Sequence, residues 1–208
     1  MEIYSNEEQQ VEAIKRFWKE YGKAIAGGVV IGLVGLYGWR YYQIEQRTAS
    51  EQASSQYNQL LEQQGVSEDW QADVQTFISN NEKNAYATFA ALLAAKDAIE
   101  KQQYDEAADK LNWVHKNSKD TAVKAIAQLR LARVQREQGD YVAALNTLAQ
   151  TVPASFVSRQ AELRGDILQL TGELAQAKSA YVQALATAGQ NQQLIQIKLD
   201  ELAHITAG

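Results

Sequence analysis

Apolar residues along this chain fall into two patterns. Between Ala24 and Trp39 sixteen consecutive residues, AIAGGVVIGLVGLYGW, carry no charge, closed by Lys23 and Arg40. Beyond Arg40 apolar positions recur every three or four residues, the period of a helix with one buried face. Ala49, Ala53, Tyr57, Leu60 and Leu61 share such a face until Gly65, which predicts one helix running on from the apolar stretch. A short helix is expected over 69–80, with Trp70, Val74, Phe77 and Ile78 on its buried side. A last amphipathic segment, 192–205, carries Leu194, Ile195, Leu199, Leu202 and Ile205 and is suited to cap the end of a helical stack.

From residue 88 onward the chain resembles itself when shifted by 37 and then by 33 residues. Three helical hairpins come into register. Their turns and second helices run from Gln103 to Leu111, Asp140 to Leu148 and Glu173 to Tyr181, and share Ala107, Ala144 and Ala177, each followed four residues later by Leu111, Leu148 or Tyr181. Twelve residues before each shared alanine stands a small residue, Ala95, Ala132 or Gly165, where two helices packed closely leave no room for a larger side chain. This spacing resembles the tetratricopeptide repeat, in which paired small residues make the contact within each hairpin. The early tryptophan of that pattern is replaced by Ala91, Gln128 and Ala161, and its closing proline is missing, so the repeats are degenerate.

The uncharged run spans only ~24 Å as a helix against a hydrocarbon core of about 30 Å. Its flanks extend it: Lys23 and Arg40 can snorkel, and the nearest acidic residues, Glu20 and Glu45, leave twenty-four residues between them. Phe17, Trp18 and Tyr21 on one side and Tyr37, Trp39, Tyr41 and Tyr42 on the other sit where interfacial aromatic belts form. The following sequence, GWRYYQIEQ, is too bulky and charged for a signal-peptidase site, so an uncleaved signal anchor over 24–42 is expected. Lys15, Arg16, Lys19 and Lys23 precede the span and only Arg40 and Arg47 follow closely, which orients 1–23 to the cytoplasm and 43–208 to the far side. Within the span Gly28, Gly32 and Gly35 form a small-residue groove, a candidate contact for another membrane helix.

Composition agrees with an all-α fold, an N-terminal transmembrane helix followed by a tetratricopeptide-like helical-hairpin solenoid. The chain has one proline, and six of its twelve glycines fall between Gly22 and Gly38. The formal charge of -5 argues against nucleic acid, whose binding is driven by basic surface. Cysteine is absent, which removes disulfides and thiolate chemistry. His115 and His204 are isolated, and no phosphate loop, dinucleotide fingerprint or nucleophile elbow is present, so neither an enzyme nor a cofactor is expected.

The N-terminal run MEIY, then VEAIKRF at Val11 to Phe17, then the glycine-rich span ending Gly38-Trp39-Arg40-Tyr41, with LRLARVQ at Leu129 to Gln135, resembles the YfgM family of ancillary SecYEG translocon subunits. The resemblance covers the whole chain. It implies a single-pass protein of the Gram-negative inner membrane, with a periplasmic domain that associates with the translocon and the chaperone PpiD. It also implies contact between the cytoplasmic tail and a stress-response regulator. A scaffold for envelope or respiratory-complex assembly is the alternative use of the same parts.

Matching the hairpins by position puts a candidate protein-binding face on their first helices. Phe89, Leu92, Lys96 and Ile99 belong to the first, Ile126, Leu129, Arg133 and Arg136 to the second, and Arg159, Glu162, Asp166 and Gln169 to the third. The pairs Leu92 and Lys96, Leu129 and Arg133, and Glu162 and Asp166 lack the lysine and asparagine with which some tetratricopeptide domains clamp a C-terminal carboxylate.

Overall fold

A computed structural model describes the backbone of residues 3–189 and 191–207 and the side chains of residues 10–189 and 191–204. All regular structure among the described residues is helical: α1 (Ile3–Gln63), α2 (Trp70–Asn80), α3 (Ala85–Glu100), α4 (Tyr104–Asn117), α5 (Thr121–Glu137), α6 (Tyr141–Leu148), α7 (Ala154–Leu170), α8 (Leu174–Ala186) and α9 (Gln192–Ala207). Residues up to Gln52 form one unit and those from Ala53 onward a second.

In the first unit the described chain is a single helix. Ile31, Val34 and Leu36 are each about two-thirds exposed or more, at 76%, 67% and 67%. A core helix of a soluble domain would have these residues covered; only lipid makes such a surface favourable. Among the described residues this is the one helix long and apolar enough to cross a membrane.

In the second unit the end of α1 packs with α2 and α3. Ala53 and Leu60 are buried with Trp70, Val74, Phe77 and Ile78, and the Trp70 indole N–H donates to the Leu60 carbonyl at 2.7 Å. The face expected on this part of α1 is narrower than its spacing suggested, because Leu61 is exposed and Ala49 lies outside the packed region. The helix ends where Gly65 takes a φ of +77°.

Three hairpins follow, α3 with α4, α5 with α6, and α7 with α8. Their small residues meet as the spacing predicts: Ala95, Ala107, Ala132, Ala144 and Ala177 are all at most 1% exposed, and Leu111, Leu148 and Tyr181 are buried beside them. The turns repeat in atomic detail. In each, an N–H returns to the carbonyl five residues back, from Gln103 to Ala98 at 2.8 Å, Asp140 to Gln135 at 2.9 Å and Glu173 to Leu168 at 2.8 Å, the bond that closes a Schellman turn. The residue before each donor has a left-handed φ, supplied by Gly139 and Gly172 in two hairpins and by Gln102 in the first.

Polar groups finish the ends that packing leaves open. Asp120 and Asp140 accept from backbone N–H groups at the starts of α5 and α6. The last carbonyls of the short α6 are met by two glutamines: Gln128 donates to Thr147 O at 2.8 Å and Gln150 O at 3.1 Å, and Gln160 to Leu148 O at 2.8 Å and Gln150 O at 2.6 Å. Gln128 stands where the repeat pattern has its tryptophan, so that departure has a structural use.

Helix α9 covers the open side of α8. Ile195 and Leu202 are buried against Ala177, Ala180, Tyr181 and Ala184, with Leu199 half-buried. Leu194 differs from expectation and is half-exposed, one residue around the helix from the buried Ile195. Ile205 lies outside the described side chains.

Candidate functional site

The first helices of the hairpins, α3, α5 and α7, line two grooves that meet at Arg133. The first, about 350 Å³, is floored by Leu92, Ile99, Tyr104, Leu111 and Val134, with Lys96, Arg130 and Arg133 and the carboxylates of Glu100 and Glu137 around them. The second, about 220 Å³, lies between α5 and α7 and is lined by Arg133, Arg136, Arg159, Glu162 and Asp166 together with Asn191 and Leu194. One groove is largely apolar and the other is charged.

Eight of the twelve residues assigned to the face by spacing therefore come together in these grooves: Leu92, Lys96, Ile99, Arg133, Arg136, Arg159, Glu162 and Asp166. Four stand elsewhere. Phe89 lines a separate cavity of about 170 Å³ at the start of α3, in edge-to-face contact with Tyr86 at 6.1 Å. Leu129 is corrected to the core: it is 3% exposed and shares a cluster with Leu163 and Ile167 of α7. Its equivalent Leu92 is only partly buried. Ile126 is half-buried and lines neither groove. Gln169 faces inward, its Oε1 2.9 Å from the Tyr181 hydroxyl.

Within the charged groove the acidic groups are already engaged. Lys198 of α9 donates to Glu162 Oε1 and Asp166 Oδ1, each at 2.7 Å, and lies 5.8 Å from the centre of the Tyr181 ring. The Tyr181 hydroxyl is 2.9 Å from Asp166 Oδ1. Burial, with the nearby Asp166 carboxylate, pushes this phenol far above its ordinary value. Burial pulls the Lys198 ammonium down, but its bonds to Asp166 and Glu162 outweigh this and hold its pKa above that of an ordinary lysine.

The arginines are in the opposite state. Arg136 pairs with Glu137 at 2.6 Å, whereas Arg130, Arg133 and Arg159 have no ion-pair partner among the described residues. Desolvation and the neighbouring Arg159 and Arg136 hold Arg133 below the ordinary arginine value, only partly offset by Glu162. The spacing analysis missed Tyr104, Arg130, Val134, Asn191 and Leu194. The first three follow from the packing of one hairpin on the next. Asn191 and Leu194 come from the capping helix and its approach, for which the hairpin register has no equivalent.

His115 is half-buried with Nδ1 3.4 Å from the Lys124 carbonyl oxygen, and His204 is exposed. Among the described residues no group of three or more histidine, aspartate and glutamate side chains could hold a metal ion. At Gly28, Gly32 and Gly35 an added Cβ would meet nothing within 4 Å among the described residues.

These features define a class, a tetratricopeptide-like helical protein carrying a membrane-spanning helix, and the family model for the tetratricopeptide repeat-like domain matches residues 15–204. Curated relatives extend the likeness over nearly the whole chain. The ancillary SecYEG translocon subunit of Haemophilus influenzae is 40% identical over 200 residues, covering 94% of this chain and 97% of that protein. Its namesake in Escherichia coli K12 is 38% identical over 184 residues, covering 87% and 88%. That of Aggregatibacter actinomycetemcomitans is 37% identical over 198 residues, covering 94% and 97%. The chain belongs to this tetratricopeptide repeat-like family of ancillary SecYEG translocon subunits.

Proposed function

We propose that this chain is a single-pass subunit associated with the SecYEG translocon, whose repeat domain binds a protein partner through the α3–α5–α7 face. The observation that carries the reading is that the relatives match anchor and repeat domain together, over 97% of the Haemophilus protein. The partner on the far side of the membrane is the chaperone PpiD, to which emerging chains would be handed. Exposed apolar surface in the first groove beside unpaired arginines in the second suits recognition of a polypeptide better than of a small molecule.

The test is a pull-down of the full chain from gently solubilised membranes, with photocrosslinkers at Lys96 and Arg159. Translocon and chaperone adducts are the expected products; recovery of neither overturns the assignment.

The four basic residues before the span support an N-terminus in the cytoplasm and 43–208 in the periplasm. Because the chain has no cysteine, single Glu12→Cys and Ser155→Cys variants report orientation through a membrane-impermeant maleimide. In spheroplasts Ser155→Cys should label and Glu12→Cys should not; the reverse pattern inverts the topology. The cytoplasmic segment 1–23 is then the part available to a stress-response regulator. The glycines at 28, 32 and 35 offer the close approach a neighbouring membrane helix needs. If Gly28→Ile with Gly32→Ile leaves translocon association unchanged, that contact is excluded.

A further inference from the structure

The charge balance of the two grooves points to a particular kind of partner. Glu162 and Asp166 of the second groove share a single internal cation, Lys198, while Glu100 and Glu137 beside the first are met by Lys96 and Arg136. Three guanidiniums, Arg130, Arg133 and Arg159, have no such partner among the described residues, which against the one unmatched carboxylate leaves the face net positive. The chain as a whole is acidic, at -5, so this local excess of positive charge runs against the composition. Arg133 borders both grooves and so joins the arginines to the apolar floor of Leu92, Ile99 and Val134.

We propose that this face recognises a polypeptide segment in which an apolar run is followed directly by acidic residues. The apolar side chains lie over Leu92, Ile99 and Val134, and the carboxylates reach Arg133 and Arg159. Resting on the reading of this face as the partner-binding surface, this specifies the partner's chemistry. An arginine crowded by like charges, as Arg133 is by Arg159 and Arg136, gains most when a carboxylate arrives, because the contact relieves repulsion as well as forming charge-assisted hydrogen bonds. The guanidinium fork donates two parallel hydrogen bonds to a carboxylate, which fixes geometry as well as adding attraction. An all-apolar segment would leave the arginines desolvated and unpaired, and a basic one would be repelled.

The experiment uses the full chain in detergent micelles and two fluorescein-labelled peptides, a leucine-rich run followed by glutamates and its counterpart with lysines. Fluorescence anisotropy should show the acidic peptide bound and the basic one at least tenfold weaker, with the preference shrinking as salt rises. Arg133→Gln with Arg159→Gln, both at exposed positions, should weaken the acidic peptide roughly tenfold while leaving the melting profile intact. Equal binding of the two peptides, or an unchanged affinity in the double variant, overturns the proposal. The translocon pull-down is independent: recovery of the translocon without peptide discrimination sinks only this inference, whereas loss of translocon and chaperone sinks the reading beneath it.

Discussion

Replacing Gly165 with alanine should destabilise the repeat domain even though alanine is the better helix former. Gly165 lies inside α7, where the exchange by itself would gain about 1 kcal/mol. The added Cβ, however, would stand 2.5 Å from Tyr181 Cε1 and 2.6 Å from Cδ1, far inside van der Waals contact. The ring cannot step aside freely, because Tyr181 is 1% exposed and its hydroxyl lies 2.9 Å from both Asp166 and Gln169. Overpacking costs about 1–3 kcal/mol, and a displaced hydrogen bond to a charged group about 1.5–3 kcal/mol. Net of the helix gain, a loss of about 1.5–5 kcal/mol is expected, or roughly 3–20 °C in the melting midpoint of a domain this size.

The other two hairpins supply the control. There the same contact is made by Ala95 with Leu111 and by Ala132 with Leu148. In a Tyr181→Leu background, itself destabilised by lost packing and hydrogen bonds, Gly165→Ala should therefore become neutral or stabilising. Far-UV circular dichroism melts of the four proteins, each as the full chain in detergent, close the double-mutant cycle. An equal cost of Gly165→Ala in both backgrounds would refute the steric argument.

Four further outcomes follow from single contacts. Leu202→Asp buries a carboxylate in a site 1% exposed and should cost about 3 kcal/mol or more, seen as lost hydrogen-exchange protection in α8 and α9; an unchanged profile counts against α9 as a cap. Because the Lys198 pKa is raised in the folded state, its stabilising contribution is complete below about pH 10 and disappears as pH rises through the higher folded value. Unfolding free energies measured across that alkaline range should show the slope in the wild type and a shallower one in Lys198→Met. Gln102→Gly should stabilise the first hairpin by roughly 0.5–1 kcal/mol, since a φ of +59° strains any residue with a Cβ and the equivalent turns use glycine; a lowered midpoint would contradict this. Gln128→Leu removes the donor that serves Thr147 and Gln150 and should cost about 1–3 kcal/mol in chemical denaturation, with the end of α6 exchanging first.

Much of the architecture was legible because it is set by neighbours in sequence. Uncharged length and flanking charge suffice for the span, and a 3.6-residue period suffices for α2, whose four expected core residues are the four that are buried. The hairpins were readable for a similar reason: Ala95 and Ala107, buried in one cluster, and Gly165 and Tyr181, in close approach, are joined through one tight turn, so spacing alone specifies them.

Contacts between hairpins leave no such trace. Leu92 and Leu129 hold matching positions, yet only Leu129 is closed into a core cluster with α7. Lys198 reaches Glu162 and Asp166 across 36 and 32 residues, and nothing in the pattern of α9 distinguishes it from a solvated lysine. The sequence by itself determined the anchor, the hairpins and their small-residue contacts, all governed by helical period and short turns. Only the tertiary structure decided which charges on the face are spent on the protein itself and which arginines remain for a partner, because pairing depends on how one hairpin is stacked on the next.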